Sequence, residues 1–354
     1  MFHHLILQCI DKFRGERTTS GIYNLLTGKR SSQTMQDAKG YQVDDFFGIM
    51  PDLRRKQLDA HIHPLIQEGL IVVNDQSFPT LTSSGKDALY SYKGPKIQYF
   101  KGMVWHEVIP SFWRRVYLLI QMMANRKAGI KHYYPIVDDY QAQRWARLVY
   151  HKFQHKLPRL IQSLYEEIHT LLENHSVIEA NLYVHRLTGG KVIGLTVEQL
   201  KEMYGMNDVD VQLHLEHTHY YLFLEAKKDK ESYPVLHLCT KGLDVTYLIT
   251  QSARKTYQYF MQGLSIDEIV TLRKLKKSTI QDHIVEAALI IPDFSIASFL
   301  SDYDVDDINN MALAMDTQKL KQIHEAFNGK YNYFELRLAL ASGQHRIEGR
   351  NSTT

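Results

Sequence analysis

The sequence predicts a mainly α-helical protein in three parts, residues 1–92, 93–243 and 244–342, with a polar tail at 343–354. Apolar residues recur at three- and four-residue spacing in each part. Two Ser residues stand three positions ahead of Glu or Gln, the signature of helix starts, and strand-like runs are confined to residues 70–81.

In the first part, Ile6–Phe13 reads as a helix stopping near Gly15, and Thr19–Leu26 as a second helix closed by Gly28. The polar run Lys29–Thr34 reads as a loop, and Val43–Ile49 as a short apolar segment. After Pro51, the spacing of Leu53, Leu58, Ile62, Leu65 and Ile66 predicts a helix ending at Gly69. Leu70–Val73 and Phe78–Leu81 then flank Asn74–Ser77 as a small hairpin, and helices followed by a hairpin describe a winged helix. Its candidate phosphate contacts are Lys29 and Arg30 in the loop, and Arg54, Arg55 and Lys56 on the first turn of the later helix.

The formal net charge of +3 hides an asymmetry, because residues 93–160 hold 13 Lys or Arg against Glu107, Asp138 and Asp139. All three tryptophans, Trp105, Trp113 and Trp145, lie in the same block, among many Tyr and Phe. Cations among aromatics suit single-stranded nucleic acid, where phosphates pair with Lys or Arg and bases stack on rings. The helical spacing of Val116, Leu119, Ile120 and Met123, and of Trp145, Leu148 and Phe153, equally describes a helical core with a cationic outer face. Arg114, Arg115, Arg126 and Lys127 are the candidate contacts here, for DNA or for an acidic protein. Further along, Thr196 caps a predicted helix with Leu200 and Met203 inward and an acidic surface unsuited to DNA. His214, His217 and His219 approach ligand spacing, as do His61 and His63, but packing on different sides of a helix is the simpler reading, and no metal site is assigned.

The third part opens on Gly263–His283, two short helices joined by a basic turn, which is the layout of a helix-turn-helix. Ser265 with Glu268 and Ser278 with Gln281 form two capping boxes, so Ser278 starts the second helix. Ile266, Ile269, Val270, Leu275, Ile280 and Ile284 face inward, leaving Arg273, Lys274, Lys276, Lys277, Ser278, Thr279, Gln281 and Asp282 outside. Cations ahead of Ser, Thr and Gln suit phosphates and base edges, so Arg273, Lys274, Lys276, Lys277, Ser278, Thr279 and Gln281 are the candidate DNA contacts. Lys274 stands where such turns usually carry glycine, and protein docking is the alternative use of the unit. Asp302, Asp304, Asp306 and Asp307 lack the glycine of a calcium loop and read as helix-start carboxylates.

Leu5-Ile-Leu-Gln-Cys9, Ile22-Tyr-Asn-Leu-Leu-Thr-Gly28, Leu65-Ile-Gln-Glu-Gly69 and Phe78-Pro-Thr-Leu81 through Leu89 resemble the RQC winged helix of RecQ-type DNA helicases. Residues from about 250 to 342, with Ser278-Thr-Ile-Gln-Asp-His283 and Tyr331-Asn-Tyr-Phe-Glu-Leu-Arg337, resemble the helix-turn-helix domain at the C-terminus of some bacterial RecQ helicases. The arrangement is similar to the YpbB-like family, whose genes commonly adjoin that of a short RecQ helicase. The resemblance implies a RecQ-type helicase and DNA as partners and a role in DNA repair or recombination. The family's hairpin aromatic corresponds to Phe78, which a short wing places in the hairpin core rather than at a strand-separating tip.

Motor chemistry is missing from the pattern. No GxxxxGK followed by Ser or Thr occurs; after Thr188-Gly-Gly-Lys191, Val192 replaces the hydroxyl that holds magnesium. Two cysteines, Cys9 and Cys239, cannot make a four-thiolate zinc site and fit a reducing cytoplasm. No apolar run approaches the roughly 20 residues that cross a membrane, and Phe2–Ile10 lacks a signal-peptide leader. Ile347-Glu-Gly-Arg350 reads as a protease-site scar or a native tail. The sequence therefore points to a cofactor-free, non-enzymatic, cytoplasmic or nucleoid-associated DNA-binding accessory of a RecQ-type helicase. A helix-turn-helix transcription regulator and a helical docking module are the alternatives.

Overall fold

The computed structural model describes residues 1–243, 249–291 and 294–351, with side chains up to 343. The fold is mainly α. Helix α1 (Phe2–Phe13) buries Phe2, Leu5, Ile6, Cys9, Ile10 and Phe13, a stripe at helical spacing. It ends at Arg14 and Gly15, both with positive φ, and a Cβ on Gly15 would stand 2.7 Å from the Thr80 methyl. Helix α2 (Thr19–Leu26) has the expected bounds. The expected loop over Lys29–Thr34 is interrupted by helix α3 (Ser32–Gly40), because the Ser31 hydroxyl accepts from the Thr34 amide and caps it. One 3₁₀ turn (Asp44–Phe46) leads to α4 (Arg55–Gln67), which stops before Gly69 at φ 68°. Strands β1 (Ile71–Val73) and β2 (Pro79–Leu81) pair antiparallel, with Ile71 opposite Leu81, and α5 (Ser83–Tyr90) follows. Asn74 Oδ1 accepts the Gln76 and Phe78 amides at 3.0 Å each and shapes the hairpin turn.

Helices α6 (Gly102–Trp105), α7 (Ile109–Lys127), α8 (Tyr140–Phe153), α9 (Leu157–Glu173), α10 (Val177–His185), α11 (Val197–Tyr204), α12 (Asp208–Lys228) and α13 (Pro234–Thr240) form the middle. Buried around most of its surface, α12 is the central helix, packed by α7, α10, α11 and α13. The Thr196–Gln199 capping box starts α11, whose Leu200 is buried with Leu182, Val211 and Leu215; Met203, expected inward, is exposed. Leu148, also expected in the core, lies on the outer face of α8. The last elements are α14 (Gln251–Met261), α15 (Ile266–Arg273), α16 (Lys277–Ile290), α17 (Asp302–Ala314), α18 (Leu320–Ala326) and α19 (Tyr333–Asn351). Helix α19 runs on past residue 342, where a polar tail was expected. Asp302 and Asp304 occupy the first turn of α17, behind the Ser301 cap. No helix among the described residues is long and apolar enough to cross a membrane.

The chain divides into two compact units. The first comprises Met1–Ile6, Lys56–His61 and Leu89–Val245; the second comprises Leu7–Arg55, Ile62–Ala88 and Thr246–Thr354. Within the second, α3 packs against α16 and α19. Glu16 fastens chain segments about three hundred residues apart: its carboxylate accepts from Tyr41 Oη at 2.7 Å, Thr317 Oγ1 at 2.5 Å and the Gln318 amide at 3.1 Å. Burial raises the Glu16 pKa, and these hydrogen bonds outweigh it to hold the group below the usual carboxylate range. Arg17 grips Asp37 with two bonds of 2.7 and 2.6 Å over the Tyr41 ring.

Candidate nucleic-acid interface

Helices α14, α15 and α16 pack on one another in the second unit. The Ser265–Glu268 capping box forms as expected, with the Ser265 amide donating to Glu268 at 2.8 Å. The turn then passes through Lys274 in the left-handed region, at φ 53°, the place usually given to glycine. The second expected capping box does not form. Backbone extended at Lys276 makes that residue the cap, and the Ile280 amide donates to the Lys276 carbonyl at 3.1 Å, so the helix begins at Lys277 and Ser278 lies inside its first turn.

Lys276 supplies no side-chain cap, so the first amides of α16 keep no capping oxygen. Lys274, Lys276, Lys277 and Ser278 are exposed there, with Thr279 and Gln281 half-buried. Residues 283–289 are all buried, and α16 packs against α3, α14 and α19. The N-terminal end is therefore the most exposed part of the described helix, carrying the positive dipole end and three lysines. Lys277 pairs with Asp267 at 2.9 Å, an exposed ion pair of small energetic weight. Arg337, on α19, holds Asp282 at 2.6 Å and Gln36 at 3.2 Å, joining α16 and α3. Its part in bracing the interface carried no sequence signal beyond the segment it belongs to.

Three expected contacts are corrected by the geometry. Arg273 points inward, its guanidinium donating to the Ser252 carbonyl at 2.6 Å, to Ser252 Oγ at 3.0 Å and to Thr256 Oγ1, which bolts α15 to α14. Arg55 donates to Ser20 Oγ and Thr19 Oγ1 at 2.8 Å each, at the start of α2. Arg115 donates to the Cys239 and Lys241 carbonyls at 3.0 and 2.8 Å, closing the end of α13, with Trp145 under it at 5.0 Å. Arg114 sits over Trp113 at 5.4 Å and 3.5 Å from Asp139. Lys29, Arg30, Arg54, Lys56, Arg126 and Lys127 are exposed. The tryptophans are half-buried among protein rings: Trp105 meets Phe223 at 4.9 Å, and Trp113 stacks on His219 at 5.6 Å. Phe78, expected in the hairpin core, is half-buried just ahead of β2, with the Lys319 ammonium 5.7 Å from its ring centre.

His283 stands behind this interface, with Nδ1 2.8 Å from Thr256 Oγ1 and 3.4 Å from the Arg273 guanidinium. Burial, then the Arg273 charge, lowers its pKa below the usual value. An unfolded histidine takes up a proton near pH 6.5, whereas this one resists until lower pH. Between those two values the unfolded chain binds more protons, so the contribution to stability is whole above about pH 6.5 and shrinks as pH falls. Thermal melts from pH 7.5 to 5 should show a falling melting temperature, with a shallower fall in His283→Gln; equal slopes in the two proteins count against this account.

Two segments match known domain families. Residues 3–97 match the family model for the RQC domain, and residues 252–340 match that for a helix-turn-helix domain. Over 342 residues the chain is 29% identical to Protein YpbB of Bacillus subtilis (strain 168), covering 96% of each chain. No solved structure matches the chain.

Proposed function

We propose that this YpbB-like chain is a non-enzymatic accessory protein that binds DNA and presents RQC-like and helix-turn-helix modules in trans to a RecQ-type helicase, in DNA repair or recombination. The observation that carries the DNA assignment is the N-terminal end of α16, where Lys274, Lys276, Lys277 and Ser278 are exposed while residues 283–289 are buried. Phosphates meet such a helix end first, through its amides and lysines. Thr279 and Gln281 then stand nearest the base edges. The helicase assignment is supported by the RQC and helix-turn-helix matches at the two ends, together with a sequence that offers no phosphate-binding motor loop. A transcription regulator is the second reading, favoured by Gln281, a residue type able to read adenine.

The test compares forked, single-stranded and blunt duplex DNA of equal length by anisotropy, with calorimetry against a RecQ-type helicase from the same source. Fork or junction preference independent of sequence, binding to the helicase, and no DNA-stimulated ATP hydrolysis by the chain alone are expected. Tight binding of a dimer to one palindrome, with no helicase association, would establish the regulator instead.

A further inference from the structure

The first unit contains a buried group of titratable side chains that the DNA-binding reading does not use. Glu179 on α10 is 1% exposed and lies among three imidazoles. His217 Nδ1 is 2.7 Å and His214 Nδ1 3.4 Å from its Oε1, and His175 Nε2 is 3.4 Å from its Oε2. Helix periodicity sets His214 and His217, three apart, on one face of α12, while His175 lies in the bend just before α10 and Glu179 in that helix's first turn. His219, the third histidine of that run, turns away to Tyr117 Oη at 3.0 Å.

Hydrogen bonds place the imidazole protons. His217 Nε2 accepts from the Tyr99 amide at 3.3 Å, so its proton is on Nδ1, facing Glu179. Thr218 donates to the His214 carbonyl at 3.0 Å and lies 3.2 Å from His175 Nε2, so that nitrogen also carries its proton. The His217 N–H thus reaches Oε1 of the buried carboxylate while the His175 N–H is taken by Thr218, and Oε2 of Glu179 has no hydrogen-bond partner. A carboxylate oxygen buried without a donor is costly and calls for a cation.

We propose that His175 Nε2, His217 Nδ1 and the Glu179 carboxylate form a structural site for one divalent ion of the zinc class. The three donor atoms lie within 4.8 Å of one another. Tetrahedral zinc, with bonds of about 2.0–2.1 Å to nitrogen and oxygen, spaces its ligands about 3.3 Å apart, so small side-chain shifts suffice. Two imidazoles and a carboxylate favour zinc over the oxygen-seeking calcium and magnesium. His214 donates to the ligating carboxylate from outside and orients it. Coordination moves the proton of each ligating imidazole to its other nitrogen, and the Tyr99 amide gives up its 3.3 Å hydrogen bond to His217. Because the site is enclosed, the ion enters as the unit folds and its binding stabilises the fold.

The untagged full-length chain, purified without added metal, is expected to contain about one zinc per chain by mass spectrometry. Dialysis against a chelator should lower the melting temperature, and zinc should restore it where magnesium does not. Cobalt substituted into the wild-type chain should give visible absorption bands of nitrogen and oxygen coordination, a readout that needs no variant. The His175→Ala, His217→Ala chain should lose the ion. A wild-type chain that holds no metal and whose melting is unmoved by chelator or zinc overturns the site, as does undiminished zinc in the folded double variant. DNA binding is measured separately, so the failure of either reading leaves the other standing.

Discussion

Reversing Lys274, Lys276 and Lys277 to Glu should weaken binding to every DNA duplex by about a hundredfold or more at low salt. It should also flatten the dependence on salt by about 0.9 per phosphate contact removed. The expectation is large because three cations become three anions at the exposed N-terminal end of α16, where the helix dipole already concentrates positive potential. The fold should survive. All three side chains are exposed, and among the described residues their ion pair, Lys277 with Asp267, is a surface pair worth about 0–1 kcal/mol. Circular dichroism checks that point, and anisotropy titrations over a salt series give the affinity. Gln281→Ala separates the two DNA readings: a change in preference among sequences of about 1–3 kcal/mol supports the regulator, and uniform binding supports the helicase accessory. Unchanged binding in both folded variants would make the unit a protein-docking module.

The largest expected loss of stability comes from Phe223→Ala, at about 3–5 kcal/mol by chemical denaturation. Phe223 is fully buried on α12, with its ring edge-on to Trp105 at 4.9 Å and to Phe112 at 5.2 Å. Truncation removes that packing from the centre of the first unit and leaves a cavity bounded by helices too large to collapse into it. Trp105 fluorescence reports the same change directly, and Phe223→Leu should cost much less. A loss below about 1 kcal/mol would mean that α12 is not the packing centre of its unit.

Helix starts and turns were legible where the chemistry is local. The Ser265–Glu268 box, the Thr196 cap, the α2 bounds, the hairpin on either side of Asn74 and the carboxylates at the start of α17 all depend on residues a few positions apart. Local signals also misled where two solutions compete. Ser278 and Gln281 have capping-box spacing, but extended backbone at Lys276 starts the helix two residues earlier, and Ser31 caps a helix inside an apparent loop.

The charges were legible as a list but not as a surface. Arg55, Arg115 and Arg273 have the same sequence character as the cations beside them, yet each donates to oxygens supplied by another part of the chain, the last two to backbone carbonyls. An arginine with five donors is drawn to such uncapped or half-buried oxygens, and which ones lie in reach depends on helix packing rather than on neighbours in sequence. The same holds for Glu179, which joins His214 and His217 only because α10 lies against α12. Sequence by itself determined that the chain is mainly helical, where helices with local caps begin, and that the two ends carry RQC-like and helix-turn-helix patterns. Tertiary structure alone decided which cations face solvent, that residues 283–289 of α16 are buried while its first residues are exposed, and which titratable groups are buried together. Local order follows from backbone hydrogen bonds that close within a turn, whereas exposure and clustering follow from contacts between segments far apart in the chain.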